Sequence, residues 1–195
     1  PGAPTVAIFG STRPYLDTGR PTAKVLYEPL DCSPCRRRPT CGGTFDKRYD
    51  EIRGRLYFDR THVPEMLRLG RCRVPVEIET VMLVDSLEMT DADRARIAGR
   101  CRAAAETRLV ITHGTDTMVE TAAALAPADL GKTIVLTGAM VPYAFGSSDG
   151  LFNLGSAISY AQVLPAGVWI AMNGTHFPWN GVRKNRETGV FEPIG

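Results

Sequence analysis

Three apolar runs, Arg108-Leu109-Val110-Ile111-Thr112, Thr133-Ile134-Val135-Leu136-Thr137 and Val168-Trp169-Ile170-Ala171-Met172, recur along the chain, and a stretch long enough for a helix follows each of the first two. Runs of this length that are apolar at consecutive positions suit strands buried on both faces, which is the condition of a parallel sheet covered by helices. The spacing predicts helices over Asp91 to Ala105, with Thr90 as N-cap and Ile97 on the apolar face, over Met118 to Ala126 and over Leu151 to Leu164. Val76 to Val84, rich in β-branched residues, reads as a further strand. The expected class is α/β: an open, mostly parallel sheet with helices on both faces, preceded by an irregular N-terminal segment.

Composition bounds the function. With 44% hydrophobic and 23% charged residues in 195, the chain reads as a soluble globular domain, or a domain with an appendage. No apolar run approaches the ~18 residues of a membrane span, so no membrane partner is expected. A net charge of +2 gives no sign of a nucleic-acid partner. Five cysteines, an odd number, suit a reducing compartment, and the cytoplasm is the expected location. The opening lacks a basic-then-apolar pattern, which argues against a secretory signal, although a chain that starts at Pro1 leaves room for residues before it.

The first stretch differs from the rest. Residues 1–43 hold seven of the fourteen prolines, three of the five cysteines and one strand signal, Val6-Ala7-Ile8-Phe9. The organisation expected is a loop-rich segment, 1–41, before a domain over 42–195. Cys32, Cys35 and Cys41 could hold a metal as thiolates if a fourth ligand existed, but Pro34 and Arg36-Arg37-Arg38 among them are more simply a solvated loop. No metal and no cofactor are expected. Gly131-Lys132-Thr133 lacks the earlier glycine of a phosphate loop and runs into a strand, no G-x-G-x-x-G follows a strand, and His62, His113 and His176 are too scattered for a zinc hydrolase.

In an open parallel sheet the ligand crevice lies beyond the carboxyl ends of the strands. Those ends carry Asp85-Ser86, His113-Gly114-Thr115-Asp116-Thr117, Gly138-Ala139-Met140 and, after Met172, Asn173-Gly174, with Arg183-Lys184 further on. A threonine hydroxyl becomes a useful nucleophile when a base takes its proton, and Thr115, Asp116 and Lys184 could form such a relay. Neighbouring glycines would let backbone N–H groups approach a developing oxyanion. The plainer reading is that Ser, Thr and Asp after strands cap the helices that follow.

Gly42-Gly43-Thr44-Phe45 and His113-Gly114-Thr115-Asp116-Thr117 resemble the signatures of the threonine-dependent asparaginase family. Thr137-Gly138-Ala139-Met140, Ser148-Asp149-Gly150, Asn153-Leu154 and Met172-Asn173 are similar to it as well, in the same order, and the length resembles the short, single-domain bacterial form. The resemblance implies hydrolysis of L-asparagine to L-aspartate and ammonia. Thr44 would be the nucleophile and Tyr49, in a mobile loop, its assistant. Thr115, Asp116 and Lys184 would form the second catalytic group, and Asp116 would also bind the substrate ammonium. Ser86 would hold the α-carboxylate, with Gly43, Gly114, Gly138 and Ala139 lining the substrate. Leu87 stands where longer members carry glutamine, which leaves L-glutamine possible as a substrate. A homo-oligomer, with a dimer as the simplest form, is implied too. Plain alternatives stand beside these roles: Thr44 as a residue of a Gly-rich turn, Tyr57 in place of Tyr49 or as a packed aromatic, Asp149 as an N-cap and Asn153 as a helix-surface or buried structural amide.

One departure is large. The family's first strand runs directly into the G-G-T block, whereas here Arg36-Arg37-Arg38-Pro39-Thr40-Cys41 precedes Gly42, and three charges and a proline cannot form a buried central strand. Pro4 to Thr12 and Cys32-Ser33-Pro34-Cys35 resemble the C-terminal part of bacterial heptosyltransferases, which implies a fused fragment too short for a sugar-nucleotide site. Either Val6 to Phe9 fills the vacant strand position, or it stays empty and Thr44 is poorly placed. An empty position predicts impaired activity. Two other functions follow from weaker readings: a non-catalytic amino-acid-binding domain, or a heptosyltransferase fragment.

Overall fold

The computed structural model describes residues 6–9 and 46–195. Its elements follow in the order β1 (Val6–Phe9), β2 (Lys47–Asp50), β3 (Arg55–Phe58), α1 (Val63–Leu69), β4 (Val76–Glu79), α2 (Asp91–Ala103), β5 (Arg108–Thr112), α3 (Met118–Leu125), β6 (Thr133–Thr137), α4 (Gly150–Val163), β7 (Gly167–Met172), β8 (Thr175–Pro178), β9 (Val182–Lys184) and β10 (Phe191–Pro193). Six strands form one sheet in the order β4-β1-β5-β6-β7-β8. All neighbouring pairs in it are parallel except β7 with β8. The α/β class and the covered, mostly parallel sheet are therefore present.

Alternation along the central strands explains why both faces are covered. Leu109, Ile111, Ile134, Leu136, Ile170 and Met172 pack on one side with Ile97 and Cys101 of α2 and Met118, Ala122 and Leu125 of α3. The intervening Val110, Val135 and Ala171 pack on the other with Val63 and Met66 of α1 and Leu154, Ala157 and Ile158 of α4. With a side-chain period of two and helices on each face, no position of these strands can be polar without cost, hence the continuous apolar runs. Helix α2 starts as its sequence indicates: Asp93 N–H donates to Thr90 Oγ1 at 3.3 Å and Thr90 N–H donates to the Asp93 carboxylate at 2.8 Å, a reciprocal capping box.

The strand position that the arginine-rich stretch cannot fill is occupied by Val6–Phe9. Its backbone pairs in parallel with β4 on one side, Ile8 opposite Ile78, and with β5 on the other, Ile8 opposite Val110. The strand position is thus filled, while Thr44, whose placement the expectation concerned, lies outside the described residues.

Three differences from the sequence reading have structural causes. The strand expected over Val76 to Val84 ends at Glu79, opposite Phe9, where the described ladder ends. Val81 and Leu83 nonetheless remain buried, so the β-like alternation of that stretch reflects core contact. Helix α1, with Pro64 in its first turn, is too short for its periodicity to stand out. The antiparallel hairpin β2–β3 pairs a mostly charged strand, Lys-Arg-Tyr-Asp, with a mostly apolar one, Arg-Leu-Tyr-Phe, and forms a separate two-stranded sheet.

Candidate functional site

The chain passes from β1 to β4 on one side and later to β5 on the other, so β1 marks the point at which strand order reverses. Crevices form at such a point, outside the carboxyl ends of the strands, because the loops leave in opposite directions. Here the segment after β4 carries Asp85 and Ser86, and the loop after β5 carries residues 113–117. The two are latched together. Thr117 Oγ1 donates to the Ser86 carbonyl at 2.7 Å, and a Cβ on Gly114 would stand 2.4 Å from Ser86 Oγ. Only glycine permits that approach. Ser86 itself opens a short 3-10 turn, Ser86–Glu88, capped by Asp85, whose Oδ1 accepts from Leu87 N–H at 3.0 Å.

Lys184 reaches this crevice from the far end of the chain. The β9–β10 hairpin, with Lys184 opposite Phe191, is anchored by the buried Val182 and Phe191. Lys184 Nζ donates to Thr115 Oγ1 at 2.8 Å and to Asp116 Oδ1 at 2.7 Å, while Thr115 is wholly buried. Accepting from Lys184 leaves the Thr115 O–H able to donate elsewhere.

Two polar atoms on these latched segments have no hydrogen-bond partner among the described residues: Ser86 Oγ and Asp116 Oδ2, both buried. Such atoms normally find partners, since leaving one dry costs about 1–3 kcal/mol. One is a hydroxyl that can donate to an anion; the other is a carboxylate oxygen that can accept from a cation. Their open valences are complementary to the two ends of a zwitterion.

The neighbouring loops carry polar groups of the opposite character. Asn153 is fully buried: its amide donates to the Gly138 carbonyl and to Asp149 Oδ2, both at 2.9 Å, and its Oδ1 accepts from Asn173 N–H at 3.0 Å. Asp149 also accepts from the N–H groups of Met140 and Val141, at 3.0 Å each. Asn173, in the left-handed region at φ 55°, receives Phe191 N–H on its side chain at 3.3 Å. This lattice ties the loops after β6 and β7 to α4 and to β10. Asp149 occupies the N-cap position of α4 without capping its side chain to that helix, so its expected role gives way to a brace across the 138–141 loop. Asn153 is the buried structural amide.

His113 is buried, with Nδ1 at 2.7 Å from the Gly114 carbonyl and Nε2 at 2.8 Å from Thr121 Oγ1. Burial pushes its pKa down to about 4, so the ring is neutral at pH 7. The first contact then requires Nδ1–H as donor and leaves Nε2 to accept from Thr121. His113 therefore braces the loop that presents Thr115.

Among the sequence-predicted site residues, Ser86, Gly114, Thr115, Asp116 and Lys184 are brought together. Gly138 and the buried Ala139 follow β6 directly; a Cβ at Gly138 would lie 2.5 Å from the His113 carbonyl oxygen. Gly43 and Thr44 lie outside the described residues, as do Cys32, Cys35 and Cys41. Tyr49 is not in a loop: it sits in β2 opposite Leu56, 54% exposed. Tyr57, its rival, lies in β3 and is 37% exposed, so it is no core aromatic. The sequence reading missed a buried ion pair, Lys47 Nζ to Asp85 Oδ2 at 2.5 Å, because a lysine in a polar run gives no sign of burial. A groove of about 670 Å³ between α1 and α4, lined by Met66, Leu67, Leu154 and Tyr160 among others, contains none of these groups.

The family model described as "Asparaginase, N-terminal" matches residues 40–191. The chain belongs to the asparaginase family. L-asparaginase 1 of Escherichia coli K12 is 35% identical over 133 residues, 64% of this chain and 39% of that enzyme. A glutamyl-tRNA(Gln) amidotransferase polypeptide from Aeropyrum pernix is 33% identical over 187 residues, 87% of this chain and 42% of that polypeptide. L-asparaginase I of Vibrio cholerae superposes with a TM-score of 0.70 at 24% identity, covering 98% of this chain and 52% of that structure, a likeness of fold. This asparaginase-family chain thus spans about two fifths to one half of the relatives it matches.

Proposed function

We propose that this domain hydrolyses the side-chain amide of L-asparagine to L-aspartate and ammonia. The observation that carries the reading is the pairing of two open valences, Ser86 Oγ and Asp116 Oδ2, with the Lys184–Thr115 hydrogen bond. Ser86 donates to the substrate α-carboxylate and Asp116 Oδ2 accepts from its ammonium. The side-chain amide then lies toward Thr115 and the residues that close the loop after β6.

In this reading the Thr44 hydroxyl adds to the amide carbon. Its proton passes through Tyr49 or the Thr115–Lys184 pair to the leaving nitrogen, and the C–N bond breaks to release ammonia. Water then attacks the ester carbon, passing a proton through the Thr115 hydroxyl to the Thr44 oxygen; the C–O bond to Thr44 breaks, and the hydroxyl is regenerated as aspartate leaves. Family membership and the Gly42-Gly43-Thr44 block support Thr44 as the nucleophile. Tyr49 would have to act from the surface of the β2–β3 hairpin. A name among the relatives, the glutaminase-asparaginase of Acinetobacter glutaminasificans, 45% identical over 89 residues, supports L-glutamine as a second substrate. Residues 1–41 are read as a fused segment with no activity of its own, its strand Val6–Phe9 taken up by the asparaginase sheet.

Coupled measurement of ammonia release from L-asparagine tests the proposal. Wild type should turn over, and Thr44→Ala and Thr115→Ala should each lose at least ~10³-fold in rate with unchanged circular dichroism. A Thr115→Ala chain as fast as wild type would overturn it.

A further inference from the structure

The buried ion pair between Lys47 and Asp85 has no part in the chemistry above, and its surroundings give it one. Lys47 is 2% exposed and Asp85 5%, and the Lys47 ammonium also stands 5.8 Å from the centre of the Phe58 ring. Burying two charges is expensive, and a pair of apolar side chains of similar size is often as stable or more so, so stability alone is a weak reason for such a pair.

Placement supplies a better one. The two oxygens of Asp85 divide their work. Oδ1 receives Leu87 N–H and shapes the turn that presents Ser86; Oδ2 receives Lys47. A carboxylate next in sequence to Ser86 would repel an anionic group seated on Ser86 Oγ, most strongly in a buried site of low dielectric. Lys47 cancels that charge. It also ties β2, which begins three residues after Thr44 in the sequence, to the turn. We infer that Lys47 is a positioning and charge-balancing residue: it allows Asp85 to shape the Ser86 turn while leaving Ser86 able to receive the α-carboxylate of the substrate. The inference rests on the proposed seating of that carboxylate on Ser86.

Two variants and two ligands test it. Lys47→Met leaves Asp85 charged, whereas Lys47→Met with Asp85→Asn removes both charges and keeps an acceptor for Leu87 N–H. The readout is affinity, by calorimetry, for L-aspartate and for its analogue with the α-carboxylate converted to an amide. Lys47→Met should weaken L-aspartate binding about tenfold while leaving the α-amide within about twofold, and the double variant should recover most of the lost affinity. A role confined to folding would weaken both ligands alike and track thermal stability. Equal losses for the two ligands, or L-aspartate affinity unchanged in Lys47→Met, would overturn the inference while ammonia release by wild type leaves the proposed function standing. A wild type that binds L-aspartate without hydrolysing L-asparagine would overturn the proposed function and leave the affinity ratios to decide the inference. A wild type that binds neither ligand would overturn the inference, and ammonia release would then decide the proposed function on its own.

Discussion

Two polar clusters lie at the carboxyl end of the same sheet, and they differ in one respect that separates scaffold from site. In the Asp149–Asn153–Asn173 cluster every amide atom of Asn153 is engaged and Asp149 accepts from two backbone N–H groups as well. In the Ser86–Thr115–Asp116–Lys184 cluster the bonds are as short, yet Ser86 Oγ and Asp116 Oδ2 are left open among the described residues. A saturated network has nothing to offer a ligand and returns its hydrogen bonds as rigidity. An unsaturated one stores an unmet need that a ligand can satisfy.

That contrast can be broken by experiment, starting where the effect is largest. Thr115→Val removes the acceptor of Lys184 but leaves the lysine its bond to Asp116, so turnover of L-asparagine should fall about 10³-fold while the urea midpoint scarcely moves. Asn153→Ala strips partners from Gly138, Asp149 and Asn173 at once, and should cost about 3 kcal/mol in urea unfolding. If its loss were below about 1 kcal/mol, the saturated cluster would not be the brace described.

A smaller effect concerns pH. The folded His113 has its pKa lowered to about 4 from an ordinary 6.5 by burial, so between these values the unfolded chain binds a proton that the folded chain does not. Stability from this group is therefore full above about pH 6.5 and declines as pH falls toward 4. Between pH 6.5 and 5 the decline should be about 1.6 kcal/mol, and a His113→Gln chain should show that much less dependence over the same range. Equal slopes for the two chains would show that the ring is not held neutral. The smallest expected change in stability belongs to Ser86→Ala: with no bond lost from Oγ, the unfolding free energy should stay within about 0.5 kcal/mol, while affinity for L-aspartate falls tenfold or more.

How much of this could be read beforehand depends on what each residue announces. Arg108–Thr112 and Thr133–Thr137 are strands with the bounds their apolar runs indicate, since burial on both faces leaves an unbroken signal. Thr115, Asp116 and Lys184 were legible as candidates because loops after parallel strands converge, although their meeting across a separation of 68 residues depends on the β9–β10 hairpin, which has no periodic signature. Val6–Phe9 was visible as a strand, but its neighbours were not, because pairing is decided by the whole sheet. Lys47 was missed because a charged side chain looks the same in sequence whether water or another charge receives it, and Asp149, though at the N-cap position, gave no sign that its carboxylate spans the 138–141 loop. Tyr49, expected in a loop, lies in a hairpin whose four-residue strands are too short to show a period.

The most direct test is a crystal structure of the chain with L-aspartate bound. The account predicts the α-carboxylate on Ser86 Oγ, the ammonium on Asp116 Oδ2 and the Lys184–Thr115 bond retained beside the side-chain carboxylate. Aspartate bound elsewhere, with Ser86 Oγ and Asp116 Oδ2 still unpartnered, would contradict it.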